Sequence, residues 1–313
     1  VFATLVTSLV PVCVCIAIGW LAGLLKILDT ERVRAISTYV VIFALPALLF
    51  VGVFKFTIQE LSQWQNLAVL LIAMSATWVL AFIVGRLVLR IPSGESAILG
   101  LTSSFPNMAY IGVAVLTSLF GTIGLLPVIL GNFVSSFVLI PVTVLVLHLK
   151  GTGPSQASRL GKDLVHTAIQ PLIWAPLLGI ILVLVHFKLP LLAAASVGMI
   201  GGTAGGVALF AVGVMLFGFS FRIDREVATV FILKNLAQPA IATALVFAFG
   251  LHGPTAEGIV IVLATPAATA CPMLASTYRT GEKSAAAAVS VSTVTSLLTL
   301  SGWILFSKAA FGS

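Results

Sequence analysis

Apolar residues run along this chain in blocks of about twenty, divided by short polar breaks, without the strict alternation of a half-buried strand. A helix needs ~20 apolar residues to cross a ~30 Å hydrocarbon core. The pattern predicts ten membrane-spanning helices, near 3–25, 33–54, 65–89, 95–119, 123–148, 164–186, 192–220, 227–250, 256–278 and 284–307. The longest polar stretch, Lys150 to Asp163, holds Gly151, Gly153, Pro154 and Ser155. It reads as a cytoplasmic linker (151–163) between a first five-helix half (1–150) and a second (164–313). The other loops are short, so a ligand has to be bound within the membrane region.

The halves match one another at a constant offset of 160: Pro11 with Pro171, Gly19 with Gly179, Leu49 and Phe50 with Leu209 and Phe210, Pro106 with Pro266, Gly121 with Gly281, Ser136 with Ser296. Because each half has an odd number of spans, the second enters the membrane from the opposite side. The expected fold is therefore an all-α polytopic membrane protein of ten helices in two inverted five-helix repeats, an architecture of secondary transporters. The first span reads as a permanent helix and not a cleaved leader, because its mate is internal; the missing initial Met reads as a trimmed start.

Composition agrees: of 313 residues, 60% are hydrophobic and 8% charged, and mean hydropathy is +1.20. The net charge of +7 does not point to nucleic acid, since the charges lie almost wholly in loops. Twelve of the basic residues, Lys26 and Arg86 among them, fall on one side and only Lys55, Lys188 and Lys308 on the other. The positive-inside rule then places both termini outside, with a bacterial inner membrane as the expected location. Cys13, Cys15 and Cys271 lie at membrane depth without metal-ligand spacing and read as small apolar fillers. No catalytic triad, metal motif, nucleotide loop or cofactor motif is present, so an enzyme is not expected.

The fourth span reads Leu101, Thr102, Ser103, Ser104, Phe105, Pro106, Asn107, Met108, Ala109, Tyr110; the ninth reads Leu263, Ala264, Thr265, Pro266, Ala267, Ala268, Thr269. A proline inside a helix removes a hydrogen bond and clashes with the preceding turn. In lipid, the freed backbone groups need partners in protein or in a wet cavity. Two breaks at equivalent places put helix ends near the midplane, where half-helix N-termini suit an anionic group. The plainer reading is that these prolines only kink two ordinary helices.

Lys234 is the ionisable residue well inside a span, eight residues past Glu226, or ~12 Å along a helix. An unpaired charge there costs at least ~2.5–3.5 kcal/mol, which makes it a functional candidate. The alternatives are a stem that snorkels to the interface, attraction of a substrate anion, or a structural partner such as helix-end carbonyls at a break. Asn235 lies alongside, and Gln238 follows at i+4 on the same face; the first-half mates are Met74, Ser75 and Trp78. No carboxylate shares that depth, which disfavours a cation pump. Asn132 and Ser136 of the fifth span are candidates to reach the crossover. Glycines 198, 202 and 206 of the seventh span read as a helix-packing stripe, within the protomer or across a dimer.

Phe105 through Gly112 resembles the Asn-containing crossover of the auxin efflux carrier family, which includes bacterial malonate and organic-acid permeases. Leu233, Lys234 and Pro239, the stretch from Pro266 to Tyr278, and Gly281 to Thr295 are similar to it as well. Two positions depart: Pro106 stands where the family has Gly, and its Gly-x-Pro becomes Gly112, Val113 and Ala114, with Ala114 in place of Pro. The resemblance implies a scaffold of spans 1, 2, 6 and 7, a transport unit of spans 3–5 and 8–10, elevator-like movement, and a homodimer through spans 2 and 7. It also implies a carboxylate-binding role for Asn107.

The expected function is transport of a small organic anion, malonate or a related carboxylate. Asn107, Pro106, Ser104, Lys234, Gln238, Thr265 and Pro266 form the candidate site, and Ser103, Tyr110, Asn132, Ser136 and Asn235 are secondary candidates. The alternatives are a sodium-coupled symporter similar to the bile-acid carriers and, from another class, a non-transporting sensor or channel.

Overall fold

The computed structural model describes residues 2–148, 165, 169–218 and 221–311, so the expected linker 151–163 lies outside the described residues. Those residues are helical, and the one strand-like feature among them is an isolated bridge. Among the described residues, six helical runs are long and apolar enough to cross a membrane: Glu31–Val53, Ile58–Val88, Met108–His148, Leu191–Gly218, Arg225–Ala248 and Glu282–Phe311. Shorter apolar helices occupy Leu9–Leu24, Pro171–Leu184 and Gly253–Ala264.

Met108–His148 is not one rod. A straight helix of 41 residues would be ~60 Å long, twice the hydrocarbon thickness. Gly121 interrupts it with φ 62° and ψ −140°, a conformation that a side chain resists. A Cβ on Gly124 would sit 2.4 Å from the Leu116 carbonyl oxygen, so the chain turns back on itself here.

Three prolines inside other spans share a local solution. Pro46, Pro141 and Pro239 each follow a π-helical turn, at Val40–Ala44, Ser135–Leu139 and Phe231–Ala237 respectively. A proline ring collides with the carbonyl four residues back, and in all three cases that carbonyl lies in the widened turn. The helix therefore continues past the proline. Breaks occur instead at Pro106 and Pro266, which lie between the helices Ser93–Ser104 and Met108–Gly112, and between Gly253–Ala264 and Ala270–Thr277.

The chain divides into two compact units, each assembled from both halves of the sequence. The first comprises 1–66, 108–132 and 170–218. Its helices pack through glycine. Cβ atoms on Gly19 and Gly213 would stand 2.0 Å from the Phe210 and Ile16 carbonyl oxygens, so the backbones of Phe2–Leu24 and Ala204–Gly218 touch. Gly179 meets the Phe50 carbonyl in the same manner, at 3.2 Å. Gly19 with Phe210 and Gly179 with Phe50 are the same landmark pair used twice. Asp29 caps Thr30–Tyr39 by accepting from the Glu31 and Arg32 backbone N–H groups. The Arg32 N–H bond is the main cause holding the Asp29 carboxyl below its usual range.

The second unit comprises 67–107, 133–169 and 219–313. Glu282–Phe311 forms its axis and packs on Gly253–Ala264, Ala270–Thr277 and Arg225–Val230. Ala287, Ala288, Val289 and Val291 on that helix close a core with Leu99, Val227, Val230 and Ala267.

Left-handed backbone recurs at an offset of 160 residues: Lys26 with His186, Arg90 with Gly250, and Gly121 with Gly281. Lys26, Arg90 and His186 each follow a helix end, where a cationic or polar side chain suits the exposed carbonyls.

Candidate functional site

The two breaks lie together in the second unit. Phe105 and Thr265 are both extended (φ −95°, ψ 102° and φ −63°, ψ 152°), as residues before a proline tend to be. The two segments run antiparallel and pair: the Asn107 backbone N–H donates to the Pro266 carbonyl at 2.7 Å, and the Ala268 N–H to the Phe105 carbonyl at 2.9 Å. Each break thus supplies part of the other's missing hydrogen bonding, as a buried backbone requires.

Two side chains from one span close the helix ends. Lys234 Nζ donates to the Leu263 carbonyl at 2.7 Å, at the C-terminal end of Gly253–Ala264. Gln238 Nε2 donates to the Ser104 carbonyl at 2.7 Å, at the C-terminal end of Ser93–Ser104. Both side chains are fully buried. Of the three roles open to Lys234 from the sequence, the geometry shows the bond to a helix-end carbonyl, a group left without a partner in its own helix. Snorkelling does not occur. The spacing of the pair follows from their position across the π-helical turn Phe231–Ala237, which presents Lys234 and Gln238 to the two crossing segments.

A third layer supports the second break. The Ala267 N–H donates to Ser292 Oγ at 3.0 Å, and Ser292 Oγ donates to Asn235 Oδ1 at 2.7 Å. Asn235 Nδ2 donates to the Ser292 carbonyl and to the Thr295 and Thr299 hydroxyls. The Asn235 carbonyl, to which Pro239 has no N–H to give, accepts from Trp303 Nε1 at 3.0 Å. Asn235 therefore faces the last helix and reaches the crossover through Ser292. That role for Ser292 is not visible in the sequence, where it is one of nine hydroxyl residues in the span; only the pairing of Ala267 reveals it.

The remaining candidates divide by what their polar atoms do. The Ser104 hydroxyl donates to the Gly100 carbonyl and the Thr265 hydroxyl to the Val262 carbonyl, each within its own helix. Their protons are committed, and they are left as acceptors. Ser103 Oγ, Asn107 Nδ2 and Gln238 Oε1 are buried without a protein partner. Ser136 is buried in the turn Ser135–Leu139 of this unit. Tyr110 and Asn132 belong to the first unit: the Tyr110 hydroxyl bonds with Ser37, and Asn132 Nδ2 donates to the Val128 carbonyl of its own helix.

The donors near the crossover can now be weighed. The backbone N–H groups of Asn107, Ala267 and Ala268 are engaged, and so are the hydroxyl protons of Ser104 and Thr265. The Asn107 amide and the Ser103 hydroxyl are not, and Lys234 Nζ has more than the one N–H that it gives to Leu263. A buried, unpaired NH₂ group costs about 1–3 kcal/mol unless something accepts from it.

Apolar helices that break and cross within a buried polar site define a membrane protein built to carry a small solute. The family profile for membrane transport proteins matches residues 4–304, and the chain belongs to this family, that of the auxin efflux carriers. The chain is 25% identical over 305 residues to the "Uncharacterized transporter YfdV" of Escherichia coli K12, covering 96% of this chain and 97% of that protein. It is 24% identical over 301 residues to an "Uncharacterized transporter" of Methanothermobacter thermautotrophicus, covering 95% and 96%. A "Putative malonate transporter" of Rhizobium meliloti is 23% identical over 290 residues, covering 92% and 91%. The chain is a membrane transporter and not an enzyme.

Proposed function

We propose that this transporter carries a small carboxylate, malonate or a related dicarboxylate, bound at the crossover and moved by elevator-like alternating access. The observation that carries the reading is the buried, unpartnered Asn107 amide, surrounded by backbone and hydroxyl donors that are already engaged. In this reading Asn107 Nδ2 donates to the carboxylate, with Ser103 as a second donor. Lys234 supplies positive potential and, with Gln238, holds the helix ends that set the site's shape. The Rhizobium meliloti relative, named for malonate, makes malonate the first substrate to try.

The proposal includes ten spans in two inverted five-helix repeats. Its support is the recurrence of the Gly19–Phe210 contact as Gly179–Phe50, together with three pairs of left-handed residues at one offset. Spans 1, 2, 6 and 7 act as scaffold and spans 3–5 and 8–10 as the mobile unit, with both termini outside. The hairpin 108–132 packs with the scaffold helices, and it moves as part of spans 4 and 5. Homodimer formation through spans 2 and 7 is favoured by the open space beside Gly198, Gly202, Gly205 and Gly206.

The test is labelled malonate uptake into proteoliposomes preloaded with unlabelled malonate, with no ion gradient imposed. Transient, saturable accumulation is expected. Absence of accumulation without sodium and its appearance with sodium would shift the reading to a sodium-coupled carrier. Conductance without saturation would indicate a channel.

A further inference from the structure

Gln238 carries an acceptor that the carboxylate reading leaves unused. Its side chain is fully buried, and its Nε2 donates to the Ser104 carbonyl at 2.7 Å. A carbonyl oxygen can only accept, so the NH₂ end of the amide must face Ser104, and the two ends cannot be exchanged. Gln238 Oε1 is thereby fixed as the other end, buried and unpartnered. It cannot donate. A fully ionised carboxylate, itself acceptor-only, gives it nothing and would face it lone pair to lone pair.

Asn107 poses the opposite demand. Its orphaned atom is Nδ2, a donor, three residues along the chain from the Ser104 carbonyl that anchors Gln238. Ser103 Oγ, next to Ser104 and likewise buried without a partner, can donate or accept. The wholly unpartnered atoms here are thus two able to donate and one obligate acceptor. Lys234 Nζ bonds to the Leu263 carbonyl and makes no bond to Gln238 Oε1.

We infer that this site selects anions that bring a hydrogen-bond donor of their own: a carboxylate whose second functional group carries an O–H or N–H to place on Gln238 Oε1. The inference rests on the carboxylate reading above and narrows its substrate class. A half-protonated dicarboxylate meets the requirement, as does a hydroxy acid or an amide of a dicarboxylate; a fully ionised dicarboxylate does not. A site built around a polar group of its ligand rejects the analogue that lacks it, because a buried acceptor is then left empty.

The experiment uses the full chain in nanodiscs and two probes of similar size and equal charge at neutral pH. Malonamate has one carboxylate and an N–H donor; monomethyl malonate has one carboxylate and no donor. Isothermal titration calorimetry is expected to give malonamate at least about tenfold tighter binding, the fold-change of one unsatisfied buried acceptor. In Gln238→Met the advantage is expected to disappear, with malonamate falling to the level of the ester. Equal binding of the two probes by the wild-type chain overturns the inference while leaving the carboxylate reading intact. A preference that survives in Gln238→Met also overturns it. If malonate, malonamate and the ester all fail to bind, the carboxylate reading itself falls, and this inference with it. The wild-type comparison decides the matter even where the variant does not fold.

Discussion

Replacing Ser292 with alanine removes one oxygen and strands two buried groups. Ser292 Oγ accepts from the Ala267 N–H at 3.0 Å and donates to Asn235 Oδ1 at 2.7 Å. Ala267 is fully buried, and Ser292 is 1% exposed, so water does not readily replace the hydroxyl. An unsatisfied buried donor or acceptor costs about 1–3 kcal/mol. Interhelical hydrogen bonds in membrane proteins average only ~0.6 kcal/mol in double-mutant cycles, with a maximum near ~1.7 kcal/mol. Ser292 makes two such bonds, one of them to a backbone group at a helix break with no alternative acceptor in its own helix. The expected loss is therefore about 2–4 kcal/mol. It should appear as a lower melting temperature of the purified protein and, because Ala267 lies beside Pro266, as weaker malonate binding. Ser292→Thr keeps the hydroxyl and should recover most of both. Ser292→Ala with stability within ~0.5 kcal/mol of wild type, the range of an ordinary surface change, would refute the claim that this serine holds the second break in place.

Three further outcomes follow from the same geometry. Lys234→Met leaves the Leu263 carbonyl without its donor and should cost about 1–3 kcal/mol together with transport, whereas Lys234→Arg keeps a donor and should lose less; a Met variant as stable and active as wild type contradicts the capping role. Gly213→Ala pushes a Cβ to 2.0 Å from the Ile16 carbonyl oxygen and should destabilise by about 1–3 kcal/mol or more through overpacking, while Gly198→Ala, with open space beside it, should be near neutral in a thermal melt. Asp29 has a carboxyl held below its ordinary value by the Arg32 N–H, so its cap on Thr30–Tyr39 is complete above the ordinary carboxylate pKa and is lost as pH falls through the lowered native value; protection of the Glu31 and Arg32 amides, measured against their intrinsic exchange rates, should fall in that acid window, and Asp29→Asn should remove that loss of protection.

The breaks at Pro106 and Pro266 were legible because proline in an apolar run has few outcomes and the two share one offset. Pro46, Pro141 and Pro239 look no different in sequence, yet there the helix continues. A π-helical turn depends on neighbours that can pair the displaced carbonyls, such as Trp303 for Asn235, and those contacts are long-range. The depth of Lys234 marked it as important, but its partner lies 29 residues away on another helix. Ser104 and Thr265 looked like donors, and their hydroxyl protons bond within their own helices, a local competition common for Ser and Thr in apolar helices. Ser292 carried no signal, because a serine among serines and threonines is distinguished only by what it touches.

The central claim is that an anion sits on the Asn107 amide, and its most direct test is the malonate affinity of wild-type protein and Asn107→Ala, measured by calorimetry in nanodiscs. The backbone bond from Asn107 to Pro266 survives this substitution, and Nδ2 has no protein partner to lose, so the fold should keep its melting temperature. The account predicts malonate binding at least about tenfold weaker in the variant, the loss of one hydrogen bond to a charged group. Equal affinity in a variant of unchanged stability would place the anion elsewhere and contradict the account.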